Sequence, residues 1–300
     1  MFKIPTSGET FIHNVKDRCL DLITHNIWNG IKAVDIKKWF NNFQGDEEQY
    51  FAACILDSLI YRSSDQVTAL ANQLFTKNII NHLNQNEPVF NDYRSLVTLL
   101  QQGKTDPFIR LVTVANKREL PGKSSDAILR LLRRKLELNA SWFITPDEID
   151  LQVKNGIKLF IFIDDFLGTG DQFLSMFDSY GLGLSMSKVT VLYAPLVAHS
   201  TGINKLSTKY PAVKVIAGEY LDEKANVFKY RFNDGINDEI SSKELYNSLL
   251  KKYNFQNLPT TIQYGHGNLG LTYIFEDAIP DSNIHILWEK TDNWYPLVTK

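Results

Sequence analysis

The spacing of apolar residues changes near residue 100. Over residues 7 to about 100, apolar positions recur at helical spacing, glycines are sparse, and the alternation typical of strands is absent. An acidic turn at residues 46–48 and a Ser-Ser-Asp-Gln segment at residues 63–66 are typical helix starts. The pattern therefore predicts a small helical domain over residues 1–100, with short helices and tight turns of the winged-helix-like kind.

From residue 101 onward the pattern is that of alternating strands and helices. Largely apolar runs at residues 109–115, 159–163 and 189–197 predict strands buried on both faces, and a shorter run lies at 213–217. The segments between them have helical patterns. This alternation is typical of a parallel sheet with helices on both faces. We therefore expect an α/β fold in which residues 101–300 form a parallel doubly wound sheet, preceded by the helical domain.

The strand predicted at residues 159–163 leads directly into polar residues. Asp164 and Asp165 follow it, and a turn with two glycines and a threonine comes before an apolar segment that can form a helix. Ligands of open α/β sheets bind at the carboxyl ends of strands. A glycine turn at a helix start can direct backbone N–H groups at a phosphate, and carboxylates bind Mg²⁺ or accept from sugar hydroxyls. The stretch thus predicts a site for a phosphorylated sugar with a metal. Alternatively, the acidic pair only ends a strand and caps the next helix.

This stretch resembles the phosphoribosyl-diphosphate (PRPP) binding motif of type I phosphoribosyltransferases. That motif is an apolar strand, two acidic residues, about three further residues, then Thr-Gly and usually Gly-Thr. The resemblance implies that Asp164 and Asp165 act in catalysis, contact the ribose hydroxyls and hold Mg²⁺. The residues implied to bind the 5′-phosphate are Gly168, Thr169, Gly170, Asp171 and Gln172. Asp171 and Gln172 stand where Gly-Thr is usual, and a carboxylate at position 171 would repel a phosphate unless it turns outward.

A second polar loop follows the strand predicted at residues 109–115. It ends at the start of a predicted helix, where an anion would bind. The resemblance implies that it holds the pyrophosphate of PRPP, through Gly122, Lys123, Ser124 and Ser125. It can also be a solvated loop with an ordinary helix cap. A P-loop of an NTPase is a third interpretation, but that loop needs a glycine where Lys117 stands.

Composition narrows the classes of protein further. The chain has 300 residues, 44% hydrophobic and 22% charged, which is ordinary for a soluble globular protein. The net charge of −2 gives no general attraction to nucleic acid, and the few lysines of the helical domain favour a structural or partner-docking role over DNA contact. Cys19 and Cys54 are predicted to be buried thiols. Without an apolar run of membrane-spanning length or a signal peptide, we expect a cytoplasmic protein.

Two other segments need an interpretation. Residues 265–270 match the letters of the dinucleotide-binding fingerprint, but a strand is predicted directly after them where a helix is required, so we expect a turn. His199 lies just past a predicted strand end, and we expect it to be a capping or surface residue.

The segments at residues 39–62 and 280–288 resemble a subgroup of phosphoribosyltransferase-like proteins, the PRTase-CE type. These proteins have a helical amino-terminal domain and occur in prokaryotic conflict (anti-phage) systems, some beside retrons. The resemblance implies an effector that transfers or hydrolyses the ribosyl group of PRPP or a nucleotide-like molecule. It also implies control by a protein or nucleoprotein partner. Because residues 141–158 are poor in basic side chains, a PRPP or nucleotide sensor without turnover is the alternative.

Overall fold

The computed structural model describes residues 1–85, 95–103, 108–114, 124–232, 235–255 and 258–299. Within them the α-helices are α1 (Gly8–Thr24), α2 (Ala33–Phe40), α3 (Gly45–Asp57), α4 (Ser64–Gln73), α5 (Ile79–Leu83), α6 (Ser95–Gln101), α7 (Ser124–Lys135), α8 (Ile149–Lys154), α9 (Asp171–Ser179), α10 (Leu182–Ser185), α11 (Ser200–Lys209), α12 (Val227–Tyr230) and α13 (Glu239–Lys252). The strands are β1 (Ile60–Arg62), β2 (Ile109–Thr113), β3 (Phe143–Ile144), β4 (Leu159–Leu167), β5 (Thr190–His199), β6 (Val213–Val215), β7 (Glu219–Leu221) and β8 (Tyr273–Phe275).

The chain packs into two compact units whose boundaries lie away from residue 100. One unit consists of Met1–Asp65 and Asp222–Lys300, and the other is Gln66–Leu221. The helices between residues 66 and 101 therefore belong with the sheet rather than with the first helices. One contact that joins them to it is the hydrogen bond from Asn78 Nδ2 to the carbonyl of Ala217, at 2.7 Å.

The unit formed from both ends of the chain has an aromatic core. The ring nitrogen of Trp39, which is fully buried, donates to the carbonyl of Ile286 at 2.8 Å. The strand after α3, β1, pairs in parallel with β8 from the carboxyl-terminal segment. The first helices thus share one core with the last eighty or so residues. Cys19 and Cys54 are buried free thiols in this core, as predicted.

The other unit contains a six-stranded parallel sheet. The strand order is β3-β2-β4-β5-β6, and β7 pairs with the carboxyl-terminal part of β5. Phe160, Phe162 and Tyr193 pack on one face with the aromatic residues of α9. The alternate positions Ile161 and Ile163 are equally buried on the opposite face, and α7 packs against β2 and β4. Burial on both faces explains the continuous apolar runs, and the predicted α/β fold with a parallel doubly wound sheet is confirmed.

Strands β4 and β5 extend further than β2 at their carboxyl ends. The pairing of β2 with β4 ends at Thr113 and Ile163, whereas β4 stays paired with β5 as far as Leu167 and Ala198. The two strands therefore carry their last residues beyond the edge of β2. Among the described residues, no helix is long and apolar enough to cross a membrane.

Candidate functional site

The acidic pair lies within β4, which ends at Leu167, four residues past its predicted end at residue 163. The strand runs through Asp164 and Asp165 to Leu167 because β5 continues to pair with it. Successive side chains of a strand point to opposite faces. The two carboxylates therefore have different surroundings, although they are neighbours in sequence.

Asp164 is a buried carboxyl group held by two donors. Its side chain is 1% exposed. The hydroxyl of Tyr193, on β5, donates to Asp164 Oδ2 at 2.7 Å, and the backbone N–H of Asp165 donates to Asp164 Oδ1 at 3.0 Å. Burial raises the pKa of the Asp164 carboxyl well above its usual range, and the charge of Asp165 raises it further, whereas the hydrogen bond from Tyr193 opposes this shift. Asp164 therefore holds the backbone of Asp165 through the hydrogen bond from that N–H and has little contact with solvent.

Asp165 is the partly exposed carboxylate of the pair. One of its oxygens accepts the backbone N–H of Phe166 at 2.8 Å, which restricts its side chain to the strand end. Of the two acidic residues, Asp165 is thus the more exposed. This division of the pair was not predicted from the sequence.

The Gly-Thr-Gly turn fits tightly against α11. Gly170 has φ of 83°, in the left-handed region, and is the N-cap of α9. A Cβ on Gly170 would lie 2.5 Å from the Leu206 side chain, and a Cβ on Gly202 would lie 2.6 Å from the carbonyl oxygen of Gly168. Glycine at both positions is therefore required for the turn and the start of α11 to approach this closely.

Polar groups around the turn converge on Asp171, the first residue of α9. The Thr169 hydroxyl donates to Asp171 Oδ2 at 2.7 Å, and Lys205 of α11 forms an ion pair with Asp171 Oδ1. Thr169 is buried, whereas Gln172 is exposed. The turn thus presents a helix N-terminus, a hydroxyl, a carboxylate and a lysine within one small region.

Comparison with known proteins identifies the family. A family model described as PRTase-CE matches residues 36–300, most of the chain. The chain belongs to the PRTase-CE family. No curated protein matches it. Membership identifies a phosphoribosyltransferase-like domain and suggests a small-molecule ribosyl phosphate as its ligand, in agreement with the polar site at the carboxyl end of β4.

Part of the predicted site of this PRTase-CE chain lies outside the described residues. Gly122 and Lys123 are not described, and Ser124 and Ser125 are the first two residues of α7. The predicted pyrophosphate loop therefore stays a prediction.

Two other sequence features have structural roles. The side chain of His199 accepts the backbone N–H of Thr201 at 3.1 Å and so caps α11, in agreement with the capping interpretation. Residues 265–270 form a turn that leads into β8, with no helix after it.

Three residues that the sequence analysis missed complete the site. They are Tyr193, Gly202 and Lys205. Tyr193 belongs to an apolar strand, and only its hydroxyl indicated a polar partner. Gly202 and Lys205 occupy ordinary helical positions. Their roles depend on the register of β5 against β4 and on the packing of α11 over the turn. No local sequence signal indicates either.

Among the described residues, no three His, Cys, Asp or Glu side chains form a metal-binding group. Proteins usually bind Mg²⁺ through one or two carboxylates together with substrate phosphates, so Asp165 suits a metal that arrives with a diphosphate. Cavities of about 330 and 580 Å³ are lined only by residues of the unit formed from both chain ends. The volumes of these cavities therefore do not point to the β4 turn, and its candidate role rests on the chemistry of its residues.

Proposed function

We propose that the chain binds PRPP, or a related ribosyl phosphate, with Mg²⁺ at the carboxyl end of β4, and transfers or hydrolyses its ribosyl group. The observation that supports this most directly is the partly exposed Asp165 beside a Gly-Thr-Gly turn that opens α9. A carboxylate can accept sugar hydroxyls, and a glycine turn at a helix start favours a phosphate. Both features lie on one continuous segment of eight residues in a chain of the PRTase-CE family.

The two acidic residues have different roles in this proposal. Asp165 accepts the ribose hydroxyls and supplies an oxygen for the metal. Asp164, whose two oxygens already accept from Tyr193 and from the Asp165 backbone, holds Asp165 in position. A bound Mg²⁺ would neutralise charge on the departing pyrophosphate.

The positive charge that develops on the ribose in the transition state determines which groups the protein must supply. Loss of pyrophosphate leaves an oxocarbenium-like ribosyl group, as in glycoside cleavage. The protein then contributes mainly electrostatic positioning. The 5′-phosphate is assigned to the turn, from Gly168 to Gln172, and the pyrophosphate to Gly122, Lys123, Ser124 and Ser125.

A sensor that binds the same ligand without turnover is the second candidate. The observation that favours it is Asp171, a carboxylate within hydrogen-bond distance of the Thr169 hydroxyl where the phosphate is expected. A negative charge at this point would weaken binding of the 5′-phosphate and alter its position. A sensor tolerates such a change more readily than an enzyme, which needs the reacting atoms in place.

The biological role follows from the family resemblance alone. We propose an effector of anti-phage defence, controlled by a protein or nucleoprotein partner. An infection assay tests this role: cells that express the wild-type defence system should resist phage, and cells with Asp165→Asn in the same system should not. Equal resistance of the two would contradict a defensive role for this site.

Calorimetric titration with PRPP and Mg²⁺ tests the site. We expect binding to the wild type and loss of binding in Asp165→Asn. Asp178→Asn is the matched control, because Asp178 is an exposed carboxylate of α9 that pairs with Lys209, away from the turn. A pyrophosphate-release assay then separates the enzyme from the sensor. Binding of ATP instead of PRPP would favour the NTPase interpretation, and PRPP binding that survives Asp165→Asn would contradict the assignment.

A further inference from the structure

The carboxylate of Asp171 is bound by the groups that a phosphate at this turn would use. The Thr169 hydroxyl donates to one of its oxygens at 2.7 Å, and Lys205 Nζ pairs with the other. A hydroxyl and an ammonium group are typical phosphate ligands, and both form stronger hydrogen bonds to an anion than to a neutral acceptor. An internal carboxylate and an external phosphate would therefore share the same donors.

Lys205 is kept beside the turn by the packing of α11. Gly202, three residues earlier, lies so close to the turn that a Cβ would meet the Gly168 carbonyl at 2.6 Å, and Leu206 lies against Gly170. Gly202 and Leu206, which lie three residues before and one residue after Lys205, thus contact the turn directly. The backbone of Lys205 cannot move away from the turn unless α11 separates from β4. Its side chain is 48% exposed and can still rotate.

We infer that Lys205 is a phosphate-binding residue of this site, and that Asp171 competes with the ligand's phosphate for Lys205 and for the Thr169 hydroxyl. The inference rests on the proposed function, which assigns a 5′-phosphate to the turn. It adds a residue from α11, outside the motif, and it gives the unusual Asp171 a specific effect. The Lys205–Asp171 pair then sets the affinity for the ligand, because the phosphate must displace the Asp171 carboxylate from its donors before it binds fully.

The chain contains a matched pair that lacks the proposed role. Lys209 and Asp178 join the same two helices, α11 and α9, about one turn of α11 further on. Their side chains are 48% and 44% exposed, close to the 48% and 51% of Lys205 and Asp171. Exposed ion pairs contribute little to stability, so neither pair is expected to matter for folding. Only the pair at the turn should affect the ligand.

Titrations with PRPP and Mg²⁺, and separately with ribose 5-phosphate, test the inference. We expect Lys205→Met to weaken binding by about tenfold or more, since hydrogen bonds to charged groups contribute about 1.5–3 kcal/mol and each 1.4 kcal/mol is a factor of ten. Asp171→Asn should tighten binding by several-fold. Lys209→Met and Asp178→Asn should leave both affinities unchanged.

The double variant decides whether Lys205 touches the phosphate or only neutralises Asp171. In the Asp171→Asn background, Lys205→Met should still weaken binding if the lysine contacts the ligand. No effect in that background would overturn the inference, as would equal effects of the Lys205 and Lys209 substitutions.

The two probes separate failure of this inference from failure of the proposed function. If PRPP binding depends on Asp165 but not on Lys205 or Asp171, the inference falls and the proposed function stands. If ribose 5-phosphate binds with the expected Lys205 dependence but PRPP does not bind, the inference stands and PRPP is excluded as the ligand of the proposed function. If neither probe binds to the wild type or to Asp171→Asn, both fall.

Discussion

Replacement of Tyr193 by phenylalanine removes one donor from a buried carboxyl group and leaves the packing almost unchanged. The Tyr193 ring stacks on Phe173 with centroids 4.2 Å apart, and a phenyl ring can keep that contact. The hydroxyl, in contrast, is a direct donor to Asp164 in the described structure, at 2.7 Å, with both side chains 1% exposed. Water cannot easily replace it. Tyr193→Phe therefore isolates the effect of one hydrogen bond on a buried acid.

The size of the effect depends on the charge of Asp164, and so on pH. With the carboxyl protonated, loss of a neutral hydrogen bond should lower the free energy of unfolding by about 1 kcal/mol. With the carboxylate ionised, the loss should be about 1.5–3 kcal/mol, the range for hydrogen bonds to charged groups. We therefore expect the destabilisation to grow as pH rises through the folded pKa of Asp164.

The sign follows from linkage. The pKa of Asp164 is raised in the folded chain, chiefly by burial. Such a group stabilises the fold fully below its unfolded pKa of about 3.9 and loses that contribution as pH rises through the folded value. The Tyr193 hydrogen bond opposes the rise in pKa, so its removal raises the pKa of Asp164 further. The variant must then lose more stability than the wild type as pH increases.

Urea unfolding at a series of pH values from 5 upward, followed by circular dichroism, measures the difference. Tyr210→Phe is the control, because the Tyr210 hydroxyl also donates to a carboxylate, that of Asp178, but this carboxylate is 44% exposed. Water can hydrate it after the substitution, so little change in the free energy of unfolding is expected at any pH of the series. A Tyr193→Phe destabilisation that stays constant across the pH series, or is no greater than that of Tyr210→Phe, would refute the reasoning.

Two further predictions concern packing and thiol chemistry. Gly202→Ala should lower the PRPP affinity and the free energy of unfolding, because its Cβ would lie 2.6 Å from the Gly168 carbonyl. Gly103→Ala is the control, because nothing lies within 4 Å of a Cβ at that position. Equal unfolding curves for the two variants would contradict the close approach. Burial raises the pKa of the Cys19 thiol to about 12, so the thiol should stay protonated at pH 8 and react with Ellman's reagent only when urea unfolds the chain; rapid reaction in buffer alone would contradict its burial.

The parallel sheet was predictable because its strands are buried on both faces. The apolar runs that became β2, β4 and β5 contain too few polar positions for a half-exposed strand, and helical segments separate them. The end of β4 was not predictable in the same way. Asp164 and Asp165 looked like the residues after a strand, whereas pairing with β5 carries the strand past them to Leu167. Local polarity indicates solvent, and it does not indicate a neighbouring strand.

The division into units also depends on packing rather than on local pattern. Helical spacing predicted one helical domain over residues 1–100, and the structure distributes those helices over both units. An amphipathic helix reveals that it has an apolar face, but the surface that covers this face is not encoded locally. The pairing of β1 with β8, which connects the start of the chain with its end, likewise has no signal in either segment.

The site itself is built from two successive strand-turn-helix segments, and the sequence motif describes only the first. Segment β4–α9 supplies Asp164, Asp165, Gly170 and Asp171, and segment β5–α11 supplies a partner for most of them: Tyr193 to Asp164, Gly202 to the turn, and Lys205 to Asp171. The second segment thereby determines which motif groups remain available to a ligand. It shields the Asp164 carboxylate from solvent and supplies the cation that pairs with the Asp171 carboxylate. Substitutions in β5 and α11 therefore test the mechanism more sharply than substitutions in the motif, because they change the state of the motif residues without removing them.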